Sequence, residues 1–376
     1  MGRARGGFGL WTACLSAVWL TVAGVIAVAL VGWAPAAGAG TPSAASSTAR
    51  TSAPAARPGS TAATDSTATP NRPPVRPPSQ YEAVRDQVVA ELNQTDPAQA
   101  LALLQQTVDS HPDIARICHP IAHDLGHAAL EKYAYDFKKA VSFQDGVCGN
   151  GYLHGVVEHA VLHAPDPEKA LHTLCAPELA GSCLHGIGHG AMFVADMDLP
   201  KALAFCDWFQ LPAQRTSCAE GVFMQNFESG VPGVKNSSWL KAGDPMYPCA
   251  QQPARYQGSC YYYAPQYYLS LHADKYADGL AWCRTAGTPA AVTACTMGMG
   301  SRTMKYNIDR VAFSEAQCAT ETERSLRDVC VRGLASYYMV HFNDPKAGMR
   351  LCGRLTASVD VASCKAAAHA AVSSRD

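Results

Sequence analysis

Across residues 81–376 no stretch alternates apolar and polar positions as a half-buried strand does. What recurs is a two-part helical unit. Its first part opens on Asp and Pro and runs into Ala-Leu: Asp96-Pro-Ala-Gln-Ala-Leu101, Asp166-Pro-Glu-Lys-Ala-Leu171, Asp198-Leu-Pro-Lys-Ala-Leu203 and Asp344-Pro-Lys-Ala347. An Asp carboxylate accepts from the free N–H groups of a first helical turn, and Pro there forfeits no hydrogen bond, so each copy predicts a helix start. The second part is a longer apolar segment. It carries a small residue at one fixed position (Gly186, Gly221, Gly298, Gly333, Ala367) and a large apolar one at another (Met192, Phe227, Leu269, Met304, Met339). This predicts a second helix, with glycine where two helices come close.

Cysteines mark the units. One class recurs at Cys183, Cys218, Cys260, Cys295, Cys330 and Cys364, at spacings of 35, 42, 35, 35 and 34. A second class precedes it at Cys175, Cys206, Cys249, Cys283, Cys318 and Cys352. The one long spacing contains an insertion, Ser229-Gly-Val-Pro-Gly-Val-Lys-Asn-Ser-Ser238. Both members of a pair fall near one hairpin bend, so the spacing predicts the disulfides Cys175–Cys183, Cys206–Cys218, Cys249–Cys260, Cys283–Cys295, Cys318–Cys330 and Cys352–Cys364. Cys118 and Cys148 remain and would bridge consecutive early units. Cysteine ligation of zinc fits poorly, because no C-x2-C spacing occurs.

A helix pair every 34–35 residues predicts an all-α fold: an α-solenoid of about eight antiparallel helix pairs with intra-repeat disulfides. The period and the D-P-x-K-A-L…G grammar resemble the Sel1-like and tetratricopeptide families over roughly residues 95–376. The strict Trp-Leu-Gly-Tyr positions of the tetratricopeptide repeat are absent. The resemblance implies a scaffold or binding surface rather than an activity.

Ahead of the repeat, Phe8 to Trp33 is an uncharged run of 26 residues behind Arg3 and Arg5. A signal-peptide core needs about 7–15 residues and a spanning helix about 20, so residues 1–34 predict a signal-anchor helix with its basic end in the cytoplasm. Ala37-Gly-Ala39 suits cleavage, which keeps secretion open as the alternative. Residues 35–80 are almost entirely Ala, Ser, Thr, Pro and Gly and predict a disordered, extended linker. The expected location is extracytoplasmic, with residues 81–376 held out from the membrane. The expected partners are that membrane and a protein or cell-wall component.

Composition agrees. The 15 cysteines comprise Cys14, in the apolar run, and 14 between 118 and 364, an even number that suits an oxidising compartment. A formal net charge of −1 gives no reason to expect a nucleic-acid partner.

The chemistry concentrates in residues 115–192. His123, His154 and His185 are separated by 31 and 31, as are His127, Glu158 and His189. Each pair is i, i+4, so both side chains share a helix face, and the same phase on stacked helices gathers five imidazoles and a carboxylate. That set suits zinc, copper or iron, as one ion or two. His119, His159 and His163 lie out of phase and, with Asp124, are the expected supporting groups behind the ligands. As mere core filling, Leu or Met would serve at less polar cost. Haem held by two histidines is a further option, without the C-x-x-C-H attachment.

His123-Asp-Leu-Gly-His127 resembles the H-D-x-G-H segment of HD-domain phosphohydrolases, which implies His123 and Asp124 as ligands. That family needs a further His and Asp, and the copy at His185 has Gly186 in place of Asp. The H-E-x-x-H zinc motif lacks its Glu. The helix face of His185 and His189 continues through Glu220 and Met224, Tyr262 and Gln266, then Met297 and Ser301. Metal binding, in support of redox or hydrolytic chemistry or of metal handling, is the expected function. A metal-free extracytoplasmic scaffold is the alternative, and no motif decides whether the chain is an enzyme.

Overall fold

The computed structural model describes residues 80–176, 181–228, 234–342 and 344–373. The expected anchor, and all of the expected linker but Gln80, lie outside these residues. Among the described residues no helix is long and apolar enough to cross a membrane.

The described chain is all-α, with sixteen α-helices and no strand. In order they are α1 (Tyr81–Gln94), α2 (Pro97–Ser110), α3 (Cys118–Lys132), α4 (Phe137–Val141), α5 (Val147–Leu162), α6 (Pro167–Thr173), α7 (Gly181–Val194) and α8 (Leu199–Cys206). Then follow α9 (Pro212–Phe227), α10 (Ala254–Leu271), α11 (Tyr276–Cys283), α12 (Pro289–Lys305), α13 (Val311–Ala319), α14 (Arg324–His341), α15 (Ala347–Cys352) and α16 (Ser358–Ser373). From α4 onward short helices alternate with long ones. In the unit with the insertion, a 3-10 turn at Cys249–Gln251 stands where the short helix is expected.

The helix starts follow from their side chains. Asp96, Asp136, Asp166 and Asp198 each accept from the backbone N–H three residues on, at 2.9–3.0 Å. Such a cap stabilises its helix by about 1 kcal/mol. Asp344 departs from the series, accepting from Lys346 N at 2.8 Å and Arg350 Nη1 at 2.6 Å, while α15 begins behind it without a side-chain cap.

Six disulfides pair the cysteines as their spacing predicts, with Cα–Cα distances of 5.3–5.9 Å. In most of them the cysteine closing a short helix is tied to the opening turns of the long helix that follows. Cys118–Cys148 joins α3 to α5. The disulfides suggest an extracytoplasmic location.

Long helices pack on their successors: α3 on α5, α5 on α7, α7 on α9, α9 on α10, α10 on α12, α12 on α14, and α14 on α16. Glycine permits the approach. A Cβ at Gly155 would overlap the carbonyl oxygen of His123, and one at Gly221 that of His185, so the helix backbones are in contact there. The row also returns on itself. Helix α5 packs on α14, and Arg116, just before α3, pairs with Asp274, reaches Tyr276 Oη at 3.1 Å and lies 5.1 Å from the Tyr306 ring centre. A cavity of about 480 Å³ lies among α3, α5, α7, α9, α10, α12 and α14.

The staples should be separable in strength. Replacing Cys206 and Cys218 by Ser should lower the unfolding free energy by about 3 kcal/mol, and replacing Cys118 and Cys148 by about 3–4 kcal/mol, because the longer loop is released. Guanidinium unfolding of both double variants checks this; no loss in either would refute the entropic role.

Candidate metal centre

Helix α3 carries His119 and His123 one turn apart on the same face, α5 presents His154 and α7 presents His189. All four are buried, and one nitrogen from each lies within 4.8 Å of one nitrogen of every other. The glycine contact between α3 and α5 sets the separation at which these imidazoles meet.

Three of the four already commit an outer nitrogen. His119 Nδ1 lies 2.6 Å from the Cys148 carbonyl oxygen, His123 Nδ1 3.1 Å from Glu158 Oε1, and His189 Nδ1 2.7 Å from Gln225 Oε1. Each partner is an acceptor, so each Nδ1 carries the hydrogen and each Nε2 is left with a lone pair in the neutral ring. His119 Nε2 and His123 Nε2 then face each other at 3.0 Å. His189 Nε2 and His154 Nδ1 are buried with no hydrogen-bond partner.

The Cys148 carbonyl reaches His119 because the backbone is held in an unusual turn. Cys148, Gly149 and Asn150 have φ of 55°, 69° and 63°, left-handed values at the mouth of α5. Such a conformation costs a non-glycine residue about 1–2 kcal/mol, and the disulfide from Cys118, adjacent to His119, ties it in place.

Charge follows burial. Burial pushes the pKa values of His119, His154 and His185 well below the usual imidazole range, and that of His189 down to about 3. At His123 burial also works against the charged form, but the Glu158 carboxylate beside it raises the pKa. Burial works to raise the Glu158 carboxyl; His123 and His127 together outweigh it and hold it well below the carboxylate range. His119, His154 and His189 are thus held as neutral imidazoles, while the Glu158 carboxylate draws His123 toward its charged form.

A buried group of four histidines in this arrangement could hold a metal ion. An ion with nitrogens at about 2.0–2.1 Å places them about 3.3 Å apart in a tetrahedron, close to the His119–His123 separation. Comparison with protein-family models, with curated proteins and with solved structures finds no match to this chain. The Sel1-like and tetratricopeptide resemblance therefore rests on the period and the helix-start grammar alone.

Of the residues expected as ligands, the structure brings His123, His154 and His189 together and adds His119 from the supporting set. Glu158 stands behind His123 and also meets His127 Nε2. The His127 ring stacks on His159 at 4.7 Å, and His159 contacts Glu131 at 3.1 Å and the His163 ring at 4.0 Å, so these three histidines form an outer group. His185 stacks on His154 at 4.6 Å and turns Nε2 toward Met224 Sδ at 3.4 Å. Asp124 accepts from Tyr81 Oη at 2.8 Å and faces away from the group, so the HD-like ligand pair is not assembled. Sequence reasoning passed over Gln225 and the Cys148 carbonyl. A Gln in the otherwise apolar run Val222-Phe-Met-Gln was the available signal for the first; a backbone acceptor leaves none.

His119 and His154 line the cavity, together with His185. So do Glu220, Met224, Tyr262, Met297 and Ser301 from the continuing helix face, whereas Gln266 is buried and bonds the Met224 carbonyl at 3.4 Å. Burial pushes the Glu220 carboxyl up to about 7.

Two outcomes follow. The folded state holds the Glu220 proton more tightly than the unfolded chain, so stability should fall as pH rises from about 4.5 to 7, by an order of about 2–3 kcal/mol. Glu220→Gln should flatten that segment of a pH series of urea unfolding curves. Gln225→Ala should leave the fold intact and weaken metal binding by about 10–100-fold, since His189 loses the acceptor that fixes its ring; an unchanged dissociation constant would count against that role.

Proposed function

We propose that this chain is an exported metalloprotein whose helical pairs form a curled solenoid, held to the membrane by residues 1–34. His119, His123, His154 and His189 would hold one first-row transition-metal ion. The supporting observation is the set of inward nitrogens. A proton shared by His119 and His123 would satisfy that pair alone and leave His154 Nδ1 and His189 Nε2 buried without partners. Each such orphan costs about 1–3 kcal/mol. A metal ion satisfies all four at once.

Neutral imidazole suits zinc, copper or iron. Four rings with centroids 4.6–6.1 Å apart leave no plane free for a porphyrin. The cavity supports a working centre over a structural clip, because a purely structural ion needs no chamber beside it and disulfides already staple the helices. Bound there, the ion would supply electron exchange, or Lewis acidity on admitting a fifth ligand, to a molecule in the cavity. The protein's part is to fix the rings: Cys148 O, Glu158 and Gln225 set which nitrogen faces inward.

Elemental analysis of the purified full chain, incubated with each candidate ion and desalted, should give close to one ion per chain. His119→Ala and His189→Ala should reduce this to background, while His127→Ala and His185→Ala should retain it. Saturating the parent with metal at about a thousandfold excess over Kd should raise its stability by about 4 kcal/mol. Background metal in the parent would overturn the proposal. Loss in His185→Ala with retention in His119→Ala would move the ion elsewhere.

A further inference from the structure

Beside the four inward-facing histidines, a further imidazole meets a soft donor. His185, on α7, is half-buried, and its Nε2 lies 3.4 Å from the thioether sulfur of Met224, on α9. A Cβ at Gly221 would overlap the His185 carbonyl oxygen, so the two helices touch there. Met224 lies one turn along α9 from that contact, which holds its sulfur beside the ring. Both residues line the cavity, and Met297 of α12 adds another thioether to the same wall.

As a hydrogen bond this contact is poor. A neutral imidazole carries a hydrogen on only one of its nitrogens, and a thioether is a weak acceptor that does little to keep it on Nε2. With the hydrogen on Nδ1, lone pairs of nitrogen and sulfur face each other across 3.4 Å. An ion at about 2.0 Å from nitrogen and about 2.3 Å from sulfur would hold those atoms about 3.5 Å apart at a tetrahedral angle. The separation in the structure matches. Sulfur then decides which ion. Thioether ligands select Cu(I) over the harder divalent ions, and imidazole suits copper as well. Two neutral donors bring no charge of their own, which favours a monovalent ion.

We infer that His185 Nε2 and Met224 Sδ form a second metal site, selective for Cu(I), in the wall of the cavity. It uses none of the four histidines of the proposed centre and does not depend on their holding an ion. Divalent ions gain little from the thioether, so their stoichiometry at the buried centre stays at one. Low coordination numbers suit Cu(I), and the cavity side of the ion is open to a further donor.

The test uses the full chain with its disulfides intact, under nitrogen, with ascorbate to keep copper reduced and bicinchoninate as the competing chelator. The background is a His119→Ala/His189→Ala variant, in which the proposed four-histidine centre lacks two ligands. It should retain one Cu(I) per chain, and copper X-ray absorption should show a sulfur neighbour at about 2.3 Å. Adding Met224→Leu, which conserves volume, should leave the melting temperature of the metal-free protein close to that of the background. It should weaken Cu(I) binding at least tenfold and remove the sulfur signal. His185→Gln should weaken binding as much. In the otherwise unaltered chain, Met224→Leu should not change the affinity for zinc. The inference is overturned if the background variant holds no Cu(I), if Met224→Leu leaves its affinity unchanged, or if the copper has only nitrogen neighbours. Cu(I) bound by the parent and lost in the background variant would assign it to the four-histidine centre instead. A parent that takes up no divalent ion, with Met224-dependent Cu(I) binding intact, would refute the four-histidine centre and leave the second site standing.

Discussion

The molecule depends on how closely its long helices approach one another. Where Gly126 meets Gly155 and Gly188 meets Gly221, nothing but hydrogen separates one helix backbone from the next. A methyl group at any of these positions would meet main-chain atoms, which cannot swing aside as a side chain can. The short separation of α3 and α5 brings His119 and His123 close to His154, while α7, whose Gly186 and Gly190 pack on the Val157 and Val161 side chains, adds His189. Ordinary leucine-spaced packing, with axes 8–10 Å apart, would hold the same rings further from one another.

The disulfides divide into two kinds by what they constrain. Six clip a bend and act mainly on the unfolded chain, removing freedom that folding would otherwise have to remove. Cys118–Cys148 acts on the folded state as well. It sits next to His119 and anchors three consecutive left-handed residues whose carbonyl fixes the His119 ring. A covalent bond, a strained turn and an imidazole tautomer are thus one device, and its cost in backbone strain is incurred beside the site.

The interior is poorly arranged for stability alone. His154 Nδ1, His189 Nε2 and two nitrogens of Arg302 are buried without partners, and Lys305 and Glu220 are held in surroundings that penalise their charges. Elsewhere Arg327–Asp360 and Arg284–Glu321 are paired, while Ser314 Oγ, Asp328 Oδ1 and His341 Nε2 are also buried without partners. Two of the unsatisfied groups, on His154 and Arg302, belong to residues that line one cavity.

Much of this was legible in the chain. The Asp caps at 96, 166 and 198 and the six hairpin disulfides follow from local rules, because each involves residues within a dozen positions of one another, and the all-α class and the concentration of histidine on three neighbouring helices follow from the repeat. The choice of ligands did not follow so simply. A 31-residue period groups His123, His154 and His185, whereas counting from the cysteines puts His154 and His189 in step, each six residues past Cys148 and Cys183. The structure follows the second count on α5 and α7, where a cysteine pins the start of the helix, but not on α3, where the sixth residue past Cys118 is Asp124. His119 enters through the left-handed turn at Cys148, which no periodicity encodes. The sequence alone determined which helices form and where they are stapled. Only the tertiary structure, by packing α3 on α5 and α5 on α7, decided which four imidazoles share a centre, because that depends on contacts between residues far apart in the chain.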